Sequence, residues 1–362
     1  MALAPVVFAL NASGLATAQK VAVALGAQLH GREGRVAQAD AFFSNALDHA
    51  RDLFAAGVPI VGVCASGILI RAVAPLLADK STEPPVVSVS DDGAVVVPLL
   101  GGHHGANRLA RDIALALGGT AAVTTAGDVS LGISLDEPPL GWALVNRLDA
   151  KDAMATLLAG GGATVSGKER ASADWLVDLP AGDAVRLSCT IEPQTDLGPN
   201  HLQFAPQRVT VGVGCSRNCP SEELADLVRS ALLNVGVCNA AVHSVNTISL
   251  KADEPAILDL AVSLGAPLRL FSAAELEAET PRLATPSEVV FAEVGCHGVS
   301  EAAALAQAGF DGVLWVQKCK TANATVALGL SPEPMTVLRG AARGRLSVVG
   351  IGPGQAAWRT PE

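Results

Sequence analysis

A chain of 362 residues, half of them apolar and punctuated by 36 Gly and 21 Pro, is long enough for two or three domains with real cores. Aromatics make up only 3%, with no Tyr, and 25 Lys and Arg against 35 Asp and Glu give a formal net charge of −10. That composition argues against stacking platforms for single-stranded nucleic acid and against cationic surfaces for duplexes or anionic membranes. The seven cysteines lack the even count and regular spacing of a secreted disulfide scaffold.

The N-terminus MALAPVVFALNASGLATA ends in small residues, as a signal peptide does, but has no basic segment and is interrupted early. It reads as a strand over 5–10, a turn over 11–14 and a helix over 15–25. A strand over 58–63, a small-residue turn at 64–67 and a helix over 68–77 repeat the unit. Asp91-Asp92-Gly93 between two β-rich runs predicts a hairpin of 86–90 with 94–99. Gly101 to Gly105 then leads into a helix over 106–117, followed by a strand over 121–125.

Residues 126–207 are less regular. Pro138-Pro139 and the stretch 192–207 predict loop or linker, and 174–179 and 184–191 predict a strand pair. A second α/β region follows: a strand from Val209, a helix opening at Pro220 or Ser221 and stopping near Gly236, and a strand over 242–247. Next come a helix from about Glu254 to Gly265, a strand over 268–271, and a Ser272/Glu275 capping box. A helix over 300–308 and strands over 313–317 and 325–328 complete it. From 331 the chain is linker by composition, then a strand running into the glycine turn VVGIGPG. The expected fold class is α/β, two open mostly parallel-sheet domains joined by a small α+β middle region. The domain bounds are 1–125, 126–207, 208–330 and 331–362. No stretch reaches the roughly 20 apolar residues of a membrane span, so a cytoplasmic protein is expected.

The strongest local feature is PLLGGHHGANRLARDIA at 98–114. Glycines allow tight turning and close backbone approach, the following helix N-terminus can receive a carboxylate, and His103 and His104 can move protons near neutral pH. Arg71 lies on a largely apolar helix, where a guanidinium calls for a carboxylate partner or snorkels to the surface. Cys64 and Ser66 read as turn residues more than nucleophiles. Cys215 and Cys219 lack the four convergent ligands of a structural zinc site, so Arg217 and its turn matter more, as an anion nest. Lys251 stands beside Asp253 and Glu254 at a helix start, Glu301 in a helix first turn, and Lys318 and Lys320 at a strand end, where α/β sheets bind ligands.

Taken in order, GILIRAVAPLLADKSTEPPVVSVSDDGAVVVPLLGGHHGAN with TTAGD, and then VGVGCSRNCPSEEL, ISLKADEP, GVSEAAAL and KCKTANATVALG, resemble the cobalt-precorrin-5A hydrolase (CbiG) family of cobalamin biosynthesis. The resemblance covers about 55–128 and 208–330. The tail GRLSVVGIGPGQAAWRTPE resembles the opening of tetrapyrrole methyltransferases, as in a fusion to a precorrin-3B C17-methyltransferase. Methylation is not expected from this chain, since most of an S-adenosylmethionine site would lie beyond Glu362.

The resemblance implies hydrolytic opening of the ring A lactone of cobalt-precorrin-5A or a related precorrin, with release of acetaldehyde. His103 or His104 is then the acid–base group. Arg71, Lys80, Gly101, Gly102, Gly105, Asn107, Arg217, Lys251, Glu301 and Lys320 become substrate-binding candidates. No cofactor and no protein-held metal are implied, because cobalt arrives inside the substrate. The expected partners are a tetrapyrrole or corrinoid intermediate and other enzymes of the pathway. Two alternatives remain open: a non-catalytic module that binds corrinoid intermediates, and a fragment of a bifunctional C17-methyltransferase.

Overall fold

A computed structural model describes residues 4–79 and 82–344, leaving out the side chain of His103. Contacts divide the chain into two compact units at Ala205/Pro206.

The first unit opens with β1 (Val6–Ala9), α1 (Ala12–Leu25), β2 (Gln28–Arg32), β3 (Ala41–Phe43), α2 (Ala46–Ala55), β4 (Ile60–Val63) and α3 (Ser66–Val73). It continues through β5 (Val86–Val89), β6 (Val95–Leu100), α4 (Ala106–Leu117), β7 (Thr120–Ala121) and α5 (Ala126–Ser130). Seven strands form one sheet in the order β3-β2-β1-β4-β5-β6-β7, parallel except where β6 turns back on β5. Every residue of β1, β4 and β5 is buried, as a parallel sheet covered on both faces requires. One core joins Val7, Val61 and Val87 to Ala18 and Val21 of α1 and Ala110 and Ile113 of α4. The other joins Phe8, Ile60 and Val86 to Phe54 of α2 and Leu69 and Val73 of α3.

A second, four-stranded sheet in the same unit has the order β8-β11-β10-β9, from β8 (Trp142–Leu144), β9 (Ala163–Ser166), β10 (Val185–Cys189) and β11 (His201–Pro206). It carries α6 (Ala150–Leu158) and a core including Leu157, Leu187 and Phe204. Here the structure corrects the sequence reading. Residues 174–176 form a 3₁₀ turn, not a strand, and β10 pairs in parallel with β9 and β11 instead. The expected loop over 192–207 ends in β11, all six of whose residues are buried. Its polar members are satisfied by neighbours: Gln203 donates to the carbonyls of Thr190 at 3.0 Å and Glu192 at 2.8 Å.

The second unit comprises β12 (Val209–Cys215), α7 (Ser221–Asn234), β13 (Val242–Ile248), α8 (Pro255–Leu264), β14 (Leu268–Phe271) and α9 (Ala273–Glu277). Then follow α10 (Glu288–Val294), α11 (Ser300–Ala308), β15 (Val313–Lys320), β16 (Ala324–Leu330) and β17 (Ala341–Ala342). The sheet order is β15-β16-β12-β13-β14-β17, with a parallel centre β12-β13-β14 and antiparallel edges. The Ser272/Glu275 capping box forms as expected. Residues 331–342, linker by composition, lie along this sheet and end in β17. Gln307, wholly buried, donates to the Val337 carbonyl at 3.0 Å and accepts from the Arg339 amide at 3.0 Å. The predicted methyltransferase-like strand and turn fall outside the described residues.

Candidate functional site

The antiparallel return of β6 sets Leu100 opposite Val86, so the turn 101–105 sits at the sheet edge where β5 begins. Gly101 has φ +72°, and a Cβ there would come 2.8 Å from the Cα and N of Pro85. Only glycine fits both the torsion and the space. The Gly101 carbonyl accepts the amides of His104 at 2.8 Å and Ala106 at 3.0 Å, which closes the turn and starts α4. His104 is exposed at its tip.

Asn107 anchors the loop from below. It is buried, and its Nδ2 donates to Thr125 Oγ1 at 2.8 Å and to Asp128 Oδ2 at 3.0 Å. Thr125 and Arg111 also donate to Asp128. Burial pushes the Asp128 carboxyl up, but the hydrogen bonds from Thr125, Arg111 and Asn107 outweigh it and hold the group below the usual carboxylate range. The motif GGHHGAN and the distant TTAGD are therefore one structure.

Beside the loop lies a pocket of about 350 Å³ lined by His104, Gly105, Arg108, Glu137, Trp142 and Arg147. Arg108 Nη1 stands 3.1 Å from Glu137 Oε1 as an ion pair, yet this buried oxygen has no hydrogen bond among the described residues. Burial raises the Glu137 carboxyl, opposed by Arg108. An imidazole, a carboxyl of raised pKa and guanidinium groups thus share one concave surface. Such a set can carry protons and stabilise anions. The sequence reading missed Arg108, Glu137, Trp142 and Arg147. The available signal was an acid pair, Asp136-Glu137, set before Pro138-Pro139 in a segment read as loop, where functional groups concentrate.

The second unit draws its motifs together at one end of its sheet. After β12, Arg217 pairs with Asp253 at 2.8 Å and Glu254 at 3.4 Å, and donates to the Leu250 carbonyl at 2.9 Å. Lys251 stands 3.6 Å from Glu254, and the Asn218 amide donates to the same carboxylate at 2.9 Å. Arg217 and Lys251 therefore meet at one buried glutamate. Glu223 of α7 accepts from the turn between β15 and β16, through Thr321 and the amide and side chain of Asn323. Burial and then Glu254 push the Cys215 thiol up to about 11, and Cys219 is also raised, chiefly by burial. Both are thiols at neutral pH, not ready metal ligands or nucleophiles.

Among the described residues, the remaining candidates make no contact with Glu254. Glu301 points inward and binds neighbouring amides. Lys320 is exposed at the end of β15, and Arg71, exposed on α3, folds back onto the Gly67 carbonyl at 2.9 Å. Gly102 lies in the loop itself, and Lys80 is outside the described residues. Burial, then Asp91, push the Cys64 thiol to about 12, so it too stays protonated.

The site is thus an imidazole, a buried carboxyl and guanidinium groups gathered at a glycine turn of an α/β sheet. The chain belongs to the cobalamin synthesis G family: the model of its N-terminal part matches residues 48–128 and that of its C-terminus residues 209–329. A protein named cobalt-precorrin-5A hydrolase from Priestia megaterium is 27% identical over 303 residues, 77% of this chain and 80% of that one. Another of the same name from Salmonella typhimurium is 29% identical over 296 residues, 74% of this chain and 82% of the relative. Protein CobE of a Sinorhizobium species is 48% identical over 120 residues, 33% of this chain and 78% of CobE. Among the described residues, no helix is long and apolar enough to cross a membrane.

Proposed function

We propose that this chain acts in cobalamin biosynthesis as a cobalt-precorrin-5A hydrolase, opening the ring A lactone of that macrocycle, or of a close relative, and releasing acetaldehyde. The observation that carries the reading is kinship along 74% and 77% of the chain with two proteins of that name. The pocket at the glycine–histidine loop has the chemistry the reaction needs. Water adds to the lactone carbonyl and the ring C–O bond breaks, leaving a carboxylate and an alcohol. Loss of the alcohol proton then lets the C–C bond to the macrocycle break, so that acetaldehyde departs and the electron pair stays on the macrocycle.

His104 and Glu137 are the groups assigned to these proton transfers. Two amides of the loop, those of His104 and Ala106, already donate to Gly101, so the developing oxyanion is assigned to Arg108. Asn107 and Asp128 are positioning residues. Arg217 and Lys251 remain candidates for the macrocycle's carboxylates, and cobalt belongs to the substrate.

Steady-state release of acetaldehyde tests the assignment. His104→Ala and Glu137→Gln should each lower kcat about a hundredfold while KM moves little. Because burial raises the Glu137 carboxyl, the acidic limb of the parent's kcat/KM profile should lie above an ordinary glutamate's, and Glu137→Gln should remove that limb. Parent-like kcat in both variants would overturn the site.

A further inference from the structure

After β1 the first sheet winds outward through β2 to β3, then returns to β4 on the other side of β1. Where strand order reverses, the flanking connections diverge and leave an opening above the carboxyl ends of the strands. Here that opening is a cleft of about 590 Å³, with Asn11 after β1, Arg32 and Arg35 at and beyond the end of β2, Ser66 after β4 and Asp91 after β5.

Its two arginines lack the ion pairs that several others in this unit make, and Arg71, also without a carboxylate partner, is held by the Gly67 carbonyl instead. Arg51, Arg108, Arg111 and Arg186 are all ion-paired, whereas neither Arg32, half-buried, nor Arg35, exposed, has a guanidinium partner among the described residues. Asp91 is the one carboxylate among the lining residues, and Ser13 donates to it at 2.6 Å. The side chains of Asn11 and Ser66 have no partner among the described residues. The N-caps of α1 and α3, Asn11 and Ala65, supply no side-chain hydrogen bond, while the Ile68 amide of α3 donates to the Ala65 carbonyl at 2.9 Å. Two guanidinium groups without a partner among the described residues, in a cleft lined by the starts of two helices, match a carboxylate or another oxyanion.

The cleft is not part of the glycine–histidine pocket. The cleft lies where β5 ends and the loop lies where β5 begins, at opposite ends of the strand. Helices α1 and α4 cover one face between them, and α2 and α3 the other.

We propose that Arg32 and Arg35 form a second binding site for a carboxylate-bearing tetrapyrrole, one that holds the ligand away from the reaction pocket. The choice of ligand class rests on the proposed function, while the oxyanion chemistry of the cleft stands independently of it.

The probe is uroporphyrin, a soluble tetrapyrrole with carboxylates around its rim, titrated calorimetrically into the full chain with inorganic phosphate as competitor. The parent should bind two molecules per chain, the Arg32→Ala/Arg35→Ala variant one, and Arg229→Ala, which removes an exposed arginine elsewhere, two. Circular dichroism and melting should be unchanged in the double variant, because the two guanidinium groups hold nothing in the fold. Two molecules bound by the double variant would overturn the proposal, as would a single molecule bound by the parent. Phosphate binding that needs both arginines, with uroporphyrin indifferent to them, would also overturn it and assign the cleft to a free oxyanion. Arginine-dependent uroporphyrin binding in a chain that releases no acetaldehyde would leave this site standing and reject the hydrolase reading instead.

Discussion

Glu301, second residue of α11, turns its carboxylate inward, accepting from the amides of Ala284, Thr285 and Lys318 at 2.9 Å and from the Thr285 hydroxyl at 3.0 Å. Burial pushes this carboxyl up, but those donors more than offset it and the net shift is downward. A folded-state value below the unfolded one stabilises the protein fully above the ordinary glutamate value of 4.5. That contribution is lost as pH falls through the lower folded value. Glu301→Gln turns an amide group toward amide donors and should cost about 3 kcal/mol, read as a shift of the urea midpoint at neutral pH. The difference between parent and variant should shrink on acidification. A glutamate in a helix first turn was legible in the sequence. Which way its carboxylate points was not, because its donors lie 16 and 17 residues away in the chain on separate segments.

The turn at Gly101 takes its place from β6 and its exit from α4. Gly101→Ala forces a left-handed torsion on a residue with a side chain and drives its Cβ into Pro85. The loop must shift, at about 1–3 kcal/mol, and activity should fall with it; thermal melting and acetaldehyde release together check this. Gln307 offers a second test. Gln307→Ala leaves the Val337 carbonyl and the Arg339 amide without their partner and should cost about 2 kcal/mol by denaturant melting.

The strand–helix alternation of the parallel regions was readable because every residue of β4 and β5 is apolar or small and bounded by turn residues. The elements over 28–55 were not read. In β2, His30 and Arg32 break the apolar run, and β3 is only three residues long. In β11 the signal was inverted. His201 and Gln203 look like loop residues but are buried in hydrogen bonds: His201 Nε2 lies 2.7 Å from the Ser188 hydroxyl.

At the scale of the whole molecule, the proposed function has an acidic protein bind an anionic macrocycle. The net charge of −10 would oppose that, so the proposed recognition would draw on local cations at Arg32 and Arg35, at Arg108, and at Arg217 and Lys251. Electrostatic attraction confined to such patches weakens as salt rises. Each unit also has its own sheet and core, with Val211, Val245 and Leu328 wholly buried in the second. Residues 206–344 produced alone should therefore unfold in one cooperative transition, as followed by circular dichroism in urea. The order of the motifs led to the family, while the pocket beyond His104 could only be assembled in three dimensions, because Arg108 and Glu137 are 29 residues apart and on different elements.

The proposed activity is turnover of a lactone-bearing macrocycle. Its most direct test is a single-turnover reaction, with the chain in excess over cobalt-precorrin-5A under anaerobic conditions and acetaldehyde measured against substrate consumed. One acetaldehyde per macrocycle is predicted. A spectral shift reporting binding, with no acetaldehyde formed, would contradict the claim and leave a protein that holds the intermediate without transforming it.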